Sequence, residues 1–338
     1  MTPNRKIWHR LRQAEHGAAL LTVLLIVAVM AIVSANAIER LTLATRLAQS
    51  SSAINQTRHF QLAAEALALR RIDTLTATSR SQVTLEGGWL DRPYALPLPN
   101  GGSAELRITD SGNCFNLNSL VSDAAAGIPA QRPIAIEQFM ALMLALGLPR
   151  EQASRISGVA VDWIDADQTT SSDGAEDSVY ANSAMPFLTG DRPLTDASEI
   201  RAMAGVTTAH WSRLSPWLCA LPTSDLSPIN ANTLLPEQAP LLQMLLPGKI
   251  DPAHARAHIA ARPANGYGRM ERFWQEAARD GTPPVGDVAS QVKLTTRWFR
   301  LRTRIRVGDA TLTASSLIDA GENNQAARVV RRAWSPEL

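Results

Sequence analysis

The chain has 338 residues, 45% hydrophobic and 19% charged, with 33 Lys and Arg against 31 Asp and Glu, a formal net charge of +2, and two cysteines. That length allows roughly two ordinary domains with a substantial core, while ordinary glycine and proline contents exclude a collagen-like or low-complexity chain and two cysteines exclude a disulfide mini-scaffold. A single long apolar run excludes a polytopic membrane protein, and the near-neutral charge gives no global reason to expect nucleic acid as a partner.

Arg5, Lys6, Arg10 and Arg12 precede a stretch from Gly17 to Ile38 that holds no charged residue. At about 1.5 Å per residue this makes a helix of roughly 33 Å, against a bilayer hydrocarbon core of about 30 Å. The basic residues lie before the span, so the positive-inside rule keeps them cytoplasmic and sends the rest of the chain across the membrane. A cleaved secretory signal is the rival reading, and it would have a shorter apolar core with a small-residue cleavage site after it. Instead Ile38, Leu41, Leu47, Ile54, Phe60, Leu67 and Leu69 continue at mixed three and four spacing, with no Gly or Pro before Gly87. That pattern predicts one helix over 18–76, its membrane part over 18–38.

The chain then changes character. Asn100-Gly101 between two extended runs predicts an antiparallel hairpin with strands near 90–98 and 103–109. From about 125 to 285 the pattern is helical. Pro133 suits the first turn of a helix reaching Leu146 and stopped by Gly147, and a second helix covers Glu151 to about Asp165. Asp196 with Glu199 makes a capping box for a helix reaching Ala204, and Thr233 to Leu246 is helical with Pro236 in its first turn. After Pro284 strands return: VKLTTRWFRLRTRIRV, ATLTASSLID, a polar turn AGENNQ, then AARVVRRAW. Arg300, Arg302, Arg304 and Arg306 alternate with Leu301, Thr303, Ile305 and Val307, so all four guanidiniums share one sheet face. They are either a solvated face or a contact for an acidic partner or for acids of the helical block.

The sharpest local chemistry is acidic. Asp162, Asp165, Asp167, Asp173, Glu176, Asp177 and Asp191 occur with no Lys or Arg between Arg155 and Arg192. Counted from Asp165, the residues Asp167, Thr169, Ser171, Asp173 and Glu176 fall at the ligand positions of a Ca²⁺ loop, although Thr170 stands where such loops need Gly. His254 and His258 are half a zinc motif without its Glu, and no nucleophile elbow, P-loop or Rossmann fingerprint occurs, so an enzyme is not expected. Cys114 and Cys219, if exported, are two thiols in an oxidising compartment, which suggests one disulfide between them, with two buried free thiols as the alternative.

A short basic leader ending in Gly17, followed by an apolar helix that merges into an amphipathic one, resembles the type IV pilin and pseudopilin signature. In that family a leader peptidase cuts after the Gly and methylates the new terminus, which implies cleavage between Gly17 and Ala18. Thr22 stands where pilins usually have Glu, and loss of that Glu marks the K component (GspK) of type II secretion systems. CFNLNSL, DWIDAD, GAED, RPLTDASEIRAMAGV and INANT resemble the same family over nearly the whole chain.

The resemblance implies an α+β, type IV pilin-like fold with a long N-terminal transmembrane helix, an antiparallel sheet and a large inserted helical domain. Its divisions are a prepilin leader over 1–17, the helix over 18–76, a head from 77–124 and 286–338, and the insert over 125–285. It further implies a minor pseudopilin that caps the periplasmic pseudopilus tip, helps begin its assembly for export of folded proteins across the outer membrane, and is not a homo-oligomer. The implied partners are the I and J minor pseudopilins, the inner membrane and the prepilin peptidase. Calcium is the implied metal, with Asp165, Asp167, Asp173, Glu176 and Asp177 as ligands. The helix-hairpin-helix look of TDASEIRAMAGVTTAHWSRL leaves an alternative, a membrane-anchored periplasmic DNA receptor, which has few basic residues to offer phosphates.

Overall fold

The computed structural model describes residues 5–78, 81–123, 129–183, 185–277, 284, 286–321 and 325–335. Residues 1–4 of the leader, the division points at 124–125 and 285, and 322–324 of the polar turn lie outside the described residues. One helix, α1 (Arg5–Thr78), runs through Gly17 without interruption and extends past both expected ends. No proline occurs in it. Its polar side chains bond back to their own turns, as Asn36 does to the Ile32 carbonyl and Thr42 to that of Ile38, each 2.8–2.9 Å. It is the one helix among the described residues long and apolar enough to cross a membrane, and that stretch is wholly exposed.

The head is a five-stranded antiparallel sheet made from β1 (Tyr94–Pro97), β2 (Ser103–Asp110), β3 (Trp298–Val307), β4 (Ala310–Asp319) and β5 (Arg328–Ser335), in that spatial order. The first strand is shorter than its apolar run because Asp91 sits at a φ of 52° and Pro93 follows. The far half of α1 lies across one face of the sheet. Ala64, Ala68 and Ile72, one turn apart, pack with Phe299, Leu301, Ile305 and Ile318, and the two alanines allow close approach. Beside them a polar rung crosses the interface: the Thr303 hydroxyl donates to Gln61, the Gln61 amide to Glu65 at 3.1 Å, Ser316 to Glu65 at 2.6 Å, and Arg332 to both Glu65 oxygens.

Between β2 and β3 the chain builds the inserted helical domain from α2 (Pro133–Ala145), α3 (Arg150–Ile164), α4 (Asp177–Ala181), α5 (Thr208–Leu214), α6 (Ala239–Leu245), α7 (Pro252–Ala260), α8 (Met270–Ala277) and α9 (Asp287–Gln291). It has its own core, drawn from Phe115 to Val292 and separate from that of the head. Gly147 stops α2 with a φ of 81°, where L side chains are strained. Two helix expectations need correction. Asp196 and Glu199 do form a reciprocal cap, but the turn they start is a 3₁₀ helix over Ala197–Ala202. The helix expected from Thr233 begins only at Ala239, after a 3₁₀ turn at Pro236–Gln238. Asn230 explains the delay: its carbonyl takes the N–H groups of Thr233 and Leu234 and its side chain that of Asn232, so this stretch is a turn.

The two bodies meet at a polar joint. Asp110, at the end of β2, accepts from Thr296 at 2.5 Å, Thr233 at 2.6 Å and the Gly112 N–H at 2.8 Å. Asn230 donates to Thr296 and to the Val83 carbonyl. Cys114 and Cys219 form a disulfide with a Cα–Cα distance of 5.9 Å, and they pack with Leu221, Trp298 and Leu317 where the insert covers one end of the sheet.

Candidate functional site

The end of α3 supplies two carboxylates to one place. Asp162 and Asp165 are three residues apart and so share a side of the helix, with Asp165 as its last, capping residue. Glu176, the residue that opens α4, comes back to meet them. One oxygen from each of the three lies within 4.8 Å of the others, and their exposures are 0%, 1% and 3%. Among the described residues this is the one such group of potential metal ligands.

The loop between the helices is pressed onto this pocket. Ser171 donates its N–H to both oxygens of Asp162, at 3.1 and 3.2 Å. A Cβ at Gly174 would stand 2.0 Å from an Asp162 oxygen, and one at Gly158 would stand 2.5 Å from the Ser172 carbonyl, so the loop can lie this close only where both positions lack side chains. Asp173 takes a φ of 64° within the same turn.

Both oxygens of Asp165 and both of Glu176 are buried without a hydrogen-bond partner. Burial, then the neighbouring charges of Asp167 and Asp162, push the Asp165 carboxyl up to about 7. Burial, then Asp162 and Asp165, push Glu176 likewise up to about 7. Four orphaned oxygens in a pocket of three carboxylates cost the fold dearly unless a cation answers them. The donor set is all oxygen and no protein cation enters it, which fits a hard divalent ion such as Ca²⁺; waters and carbonyls would complete the six to eight ligands that ion takes.

The other residues expected as ligands lie outside this group. Asp167 accepts from the Thr169 N–H at 2.7 Å, and Asp173 accepts from the Ser154 hydroxyl at 2.9 Å; both are exposed. Asp177 accepts the N–H and hydroxyl of Thr189, which hold its carboxyl below the usual range, and that hydroxyl also reaches Asp191 at 2.6 Å. Asp162, left out of the ligand set that the resemblance implied, is the third member of this group; the i, i+3 spacing in DWIDAD was the signal that could have found it. His254 and His258 lie outside this group: His254 contacts the Glu276 carbonyl, and His258, buried among Tyr267 and Phe273, has its Nδ1 3.9 Å from a Glu276 carboxylate oxygen.

A second candidate surface is the uncovered side of α1. Beyond the membrane stretch Leu41, Leu43, Leu47, Ile54, Leu62 and Leu67 stay exposed, although the same helix buries Ala64, Ala68 and Ile72 against the sheet. Ala18 is exposed within the helix, and the Thr22 hydroxyl folds back onto the Ala19 carbonyl at 2.9 Å.

Known proteins share this architecture and sequence. Two family profiles, both described as type II secretion system (T2SS), protein K, match residues 113–223 and 229–295. Curated relatives named type II secretion system protein K are 30% identical in Pectobacterium carotovorum (96% of this chain, 98% of the relative), 32% in Aeromonas hydrophila (92% and 95%) and 32% in Pseudomonas aeruginosa (93% and 92%). A chain in the crystal structure of the GspK-GspI-GspJ complex from enterotoxigenic Escherichia coli superimposes with a TM-score of 0.73 at 30% identity, covering 86% of this chain and 99% of that one. Nothing in these likenesses supports a DNA receptor.

Proposed function

The chain belongs to the type II secretion system protein K family and is a minor pseudopilin, and from that premise we propose that it caps the periplasmic tip of the pseudopilus in complex with the I and J minor pseudopilins. The observation that carries this reading is the fold shared with a chain solved in a GspK-GspI-GspJ complex. The exposed apolar side of α1 supports it, because Leu41, Leu47, Ile54 and Leu62 offer a stripe onto which other subunits' helices pack. Thr22 supports an end position. It places no carboxylate where a preceding subunit's amino terminus would need one, and its own hydroxyl is satisfied within the helix.

On this reading α1 anchors the chain in the inner membrane with the head and insert in the periplasm. The leader is removed between Gly17 and Ala18, and Ala18 carries the methyl group. The role is structural, with no reaction to catalyse. Asp162, Asp165 and Glu176 would hold a Ca²⁺ ion whose charge would offset most of theirs, and by binding both the end of α3 and the start of α4 they would fix the loop between the two helices.

Cross-linking in membranes tests the assembly. Cysteines placed along the exposed side of α1, at Leu41 and Leu47, join this chain to the I and J subunits and not to a second copy of itself. Repeated self-cross-links along a filament would rule out the tip position.

A further inference from the structure

The outer face of the head sheet, turned away from α1, carries a row of guanidiniums. On β3 the side chains of Arg302, Arg304 and Arg306 are exposed, whereas Leu301, Thr303, Ile305 and Val307 between them are buried. The strand register widens the row. Arg107 of β2 lies opposite Arg302, Thr311, Thr313 and Ser315 of β4 lie opposite Arg306, Arg304 and Arg302, and Arg331 of β5 lies opposite Leu317. Among these paired positions the acid is Glu105, which faces Arg304 and accepts from Arg107 at 2.8 Å. At the positions named, six arginines, Arg107, Arg300, Arg302, Arg304, Arg306 and Arg331, stand with one glutamate; among the described residues the same register also places Asp319 and Arg328, an ion pair, at the covered end of this face.

One end of the row is already in use. Arg331 donates to the Ala220 carbonyl of the insert at 3.1 Å, and Leu317 beside it is buried under the disulfide. Asp196 of the insert comes to the same end. Against the upward push of burial, the Ser198 N–H and the charges of Arg331 and Arg300 hold its carboxyl below the usual range. Where the row is covered it therefore meets a carbonyl of the insert through Arg331, with the negative charge of Asp196 near enough to be felt. The stretch from Arg302 to Arg306 continues past the edge of the insert with the same chemistry.

We propose that this stretch, with Arg107, is a docking surface for an acidic polypeptide, whose carboxylates pair with the guanidiniums that the strand register sets in a row. The guanidinium fork matches a carboxylate with two parallel hydrogen bonds. Alternate residues on a strand repeat at about 6.7 Å, so an extended partner with acids at every second position meets the arginines in step. Neighbouring guanidiniums repel one another, and an acidic partner relieves that repulsion, whereas the Thr and Ser flanks offer no apolar wedge for insertion into a lipid surface.

The test uses the full chain in nanodiscs of zwitterionic lipid and a fluorescent peptide of about ten residues alternating Glu and Thr, with a Gln/Thr peptide as control. The acidic peptide binds, the control does not, and binding weakens as salt rises from about 50 to about 300 mM. Arg302→Glu with Arg306→Glu weakens binding at least about tenfold, while Arg256→Glu on the exposed side of α7 leaves it unchanged. Melting curves accompany both variants, and if the double charge reversal lowers the melting temperature, Arg302→Gln with Arg306→Gln replaces it. The proposal fails if the acidic and control peptides bind alike or if the double variant binds as well as the parent. Flotation with phosphatidylglycerol vesicles through these arginines, without peptide binding, would make the face a lipid contact and overturn it. The assay needs no other secretion subunit, so its outcome is separate from that of the tip assembly.

Discussion

Asp162, Asp165 and Glu176 illustrate how a few atoms set the behaviour of a loop. Their oxygens converge without a protein cation, and the four of Asp165 and Glu176 lack any donor. The carboxylates therefore repel one another, and on the proposed metal reading a bound cation would turn that repulsion into attraction and, by mass action, stabilise the native state. Chelator is expected to lower the melting temperature and Ca²⁺ to restore it better than equal Mg²⁺, because Mg²⁺ requires tighter octahedral geometry. Asp165→Asn with Glu176→Gln is expected to raise the melting temperature in chelator and abolish the response to Ca²⁺. Calorimetry that detects no calcium binding at millimolar concentration would end the metal reading. Gly174→Ala tests the same pocket from the backbone side. Its Cβ has no room beside Asp162, so the loop must move and calcium affinity should fall about tenfold or more.

At the scale of elements, the contact of α1 with the sheet combines apolar and polar parts. The alanine face sets the distance, and the Glu65 rung sets the register, because only one placement brings Gln61 to Thr303 and Glu65 to Arg332 and Ser316 together. Burial raises the Glu65 pKa, but hydrogen bonds from Arg332, Ser316 and Gln61 and the charge of Arg332 outweigh it and leave the group below its ordinary value. A carboxylate with a lowered folded pKa contributes stability that is complete above its unfolded value, about 4.3, and is lost as pH falls through the folded one. Denaturant titrations between neutral pH and pH 3 should show this loss in the parent and not in Glu65→Gln, which starts about 2–3 kcal/mol less stable at neutral pH because Arg332 loses its partner. A parallel pH dependence in both proteins would remove Glu65 from the account.

For the whole molecule, two hydrophobic cores joined by a polar network and one disulfide make a body whose parts are separable in principle. The bridge closes a span of 105 residues, for which chain entropy allows about 4–5 kcal/mol. In the oxidised protein head and insert should unfold in one transition. With Cys114→Ser and Cys219→Ser the insert should unfold separately, seen as two calorimetric peaks, while a single peak would mean that Asp110 and Asn230 suffice to couple them. Processing is read at this scale too. The intact mass of the membrane-extracted chain should lack residues 1–17 and carry one added methyl, and a chain cut near residue 36 would instead be a secreted protein.

Much of this architecture follows from local chemistry that the linear order contains. The absence of breaking residues before Gly87 writes the long helix, the period-2 run around Arg300–Arg306 writes a strand and its two faces, and Gly147 with its positive φ writes a helix end. The acidic loop was legible as a concentration of like charge, because such charge without counterions is costly wherever it folds. Which carboxylates converge was not legible from the loop spacing. That spacing favoured Asp167 and Asp173, and the family resemblance added Asp177, but those groups have donors in Thr169, Ser154 and Thr189, and the return of the chain at Glu176 puts it beside Asp162 and Asp165 instead. Likewise the delayed start of α6 depends on Asn230 being held by Val83 and Thr296, far away in sequence. The periodic elements are determined by neighbours a few residues apart, so the sequence alone specifies them. The pocket, the joint and the covered end of the arginine row are made by residues tens to hundreds of positions apart, and only the closing of the tertiary structure decides which of their polar groups meet.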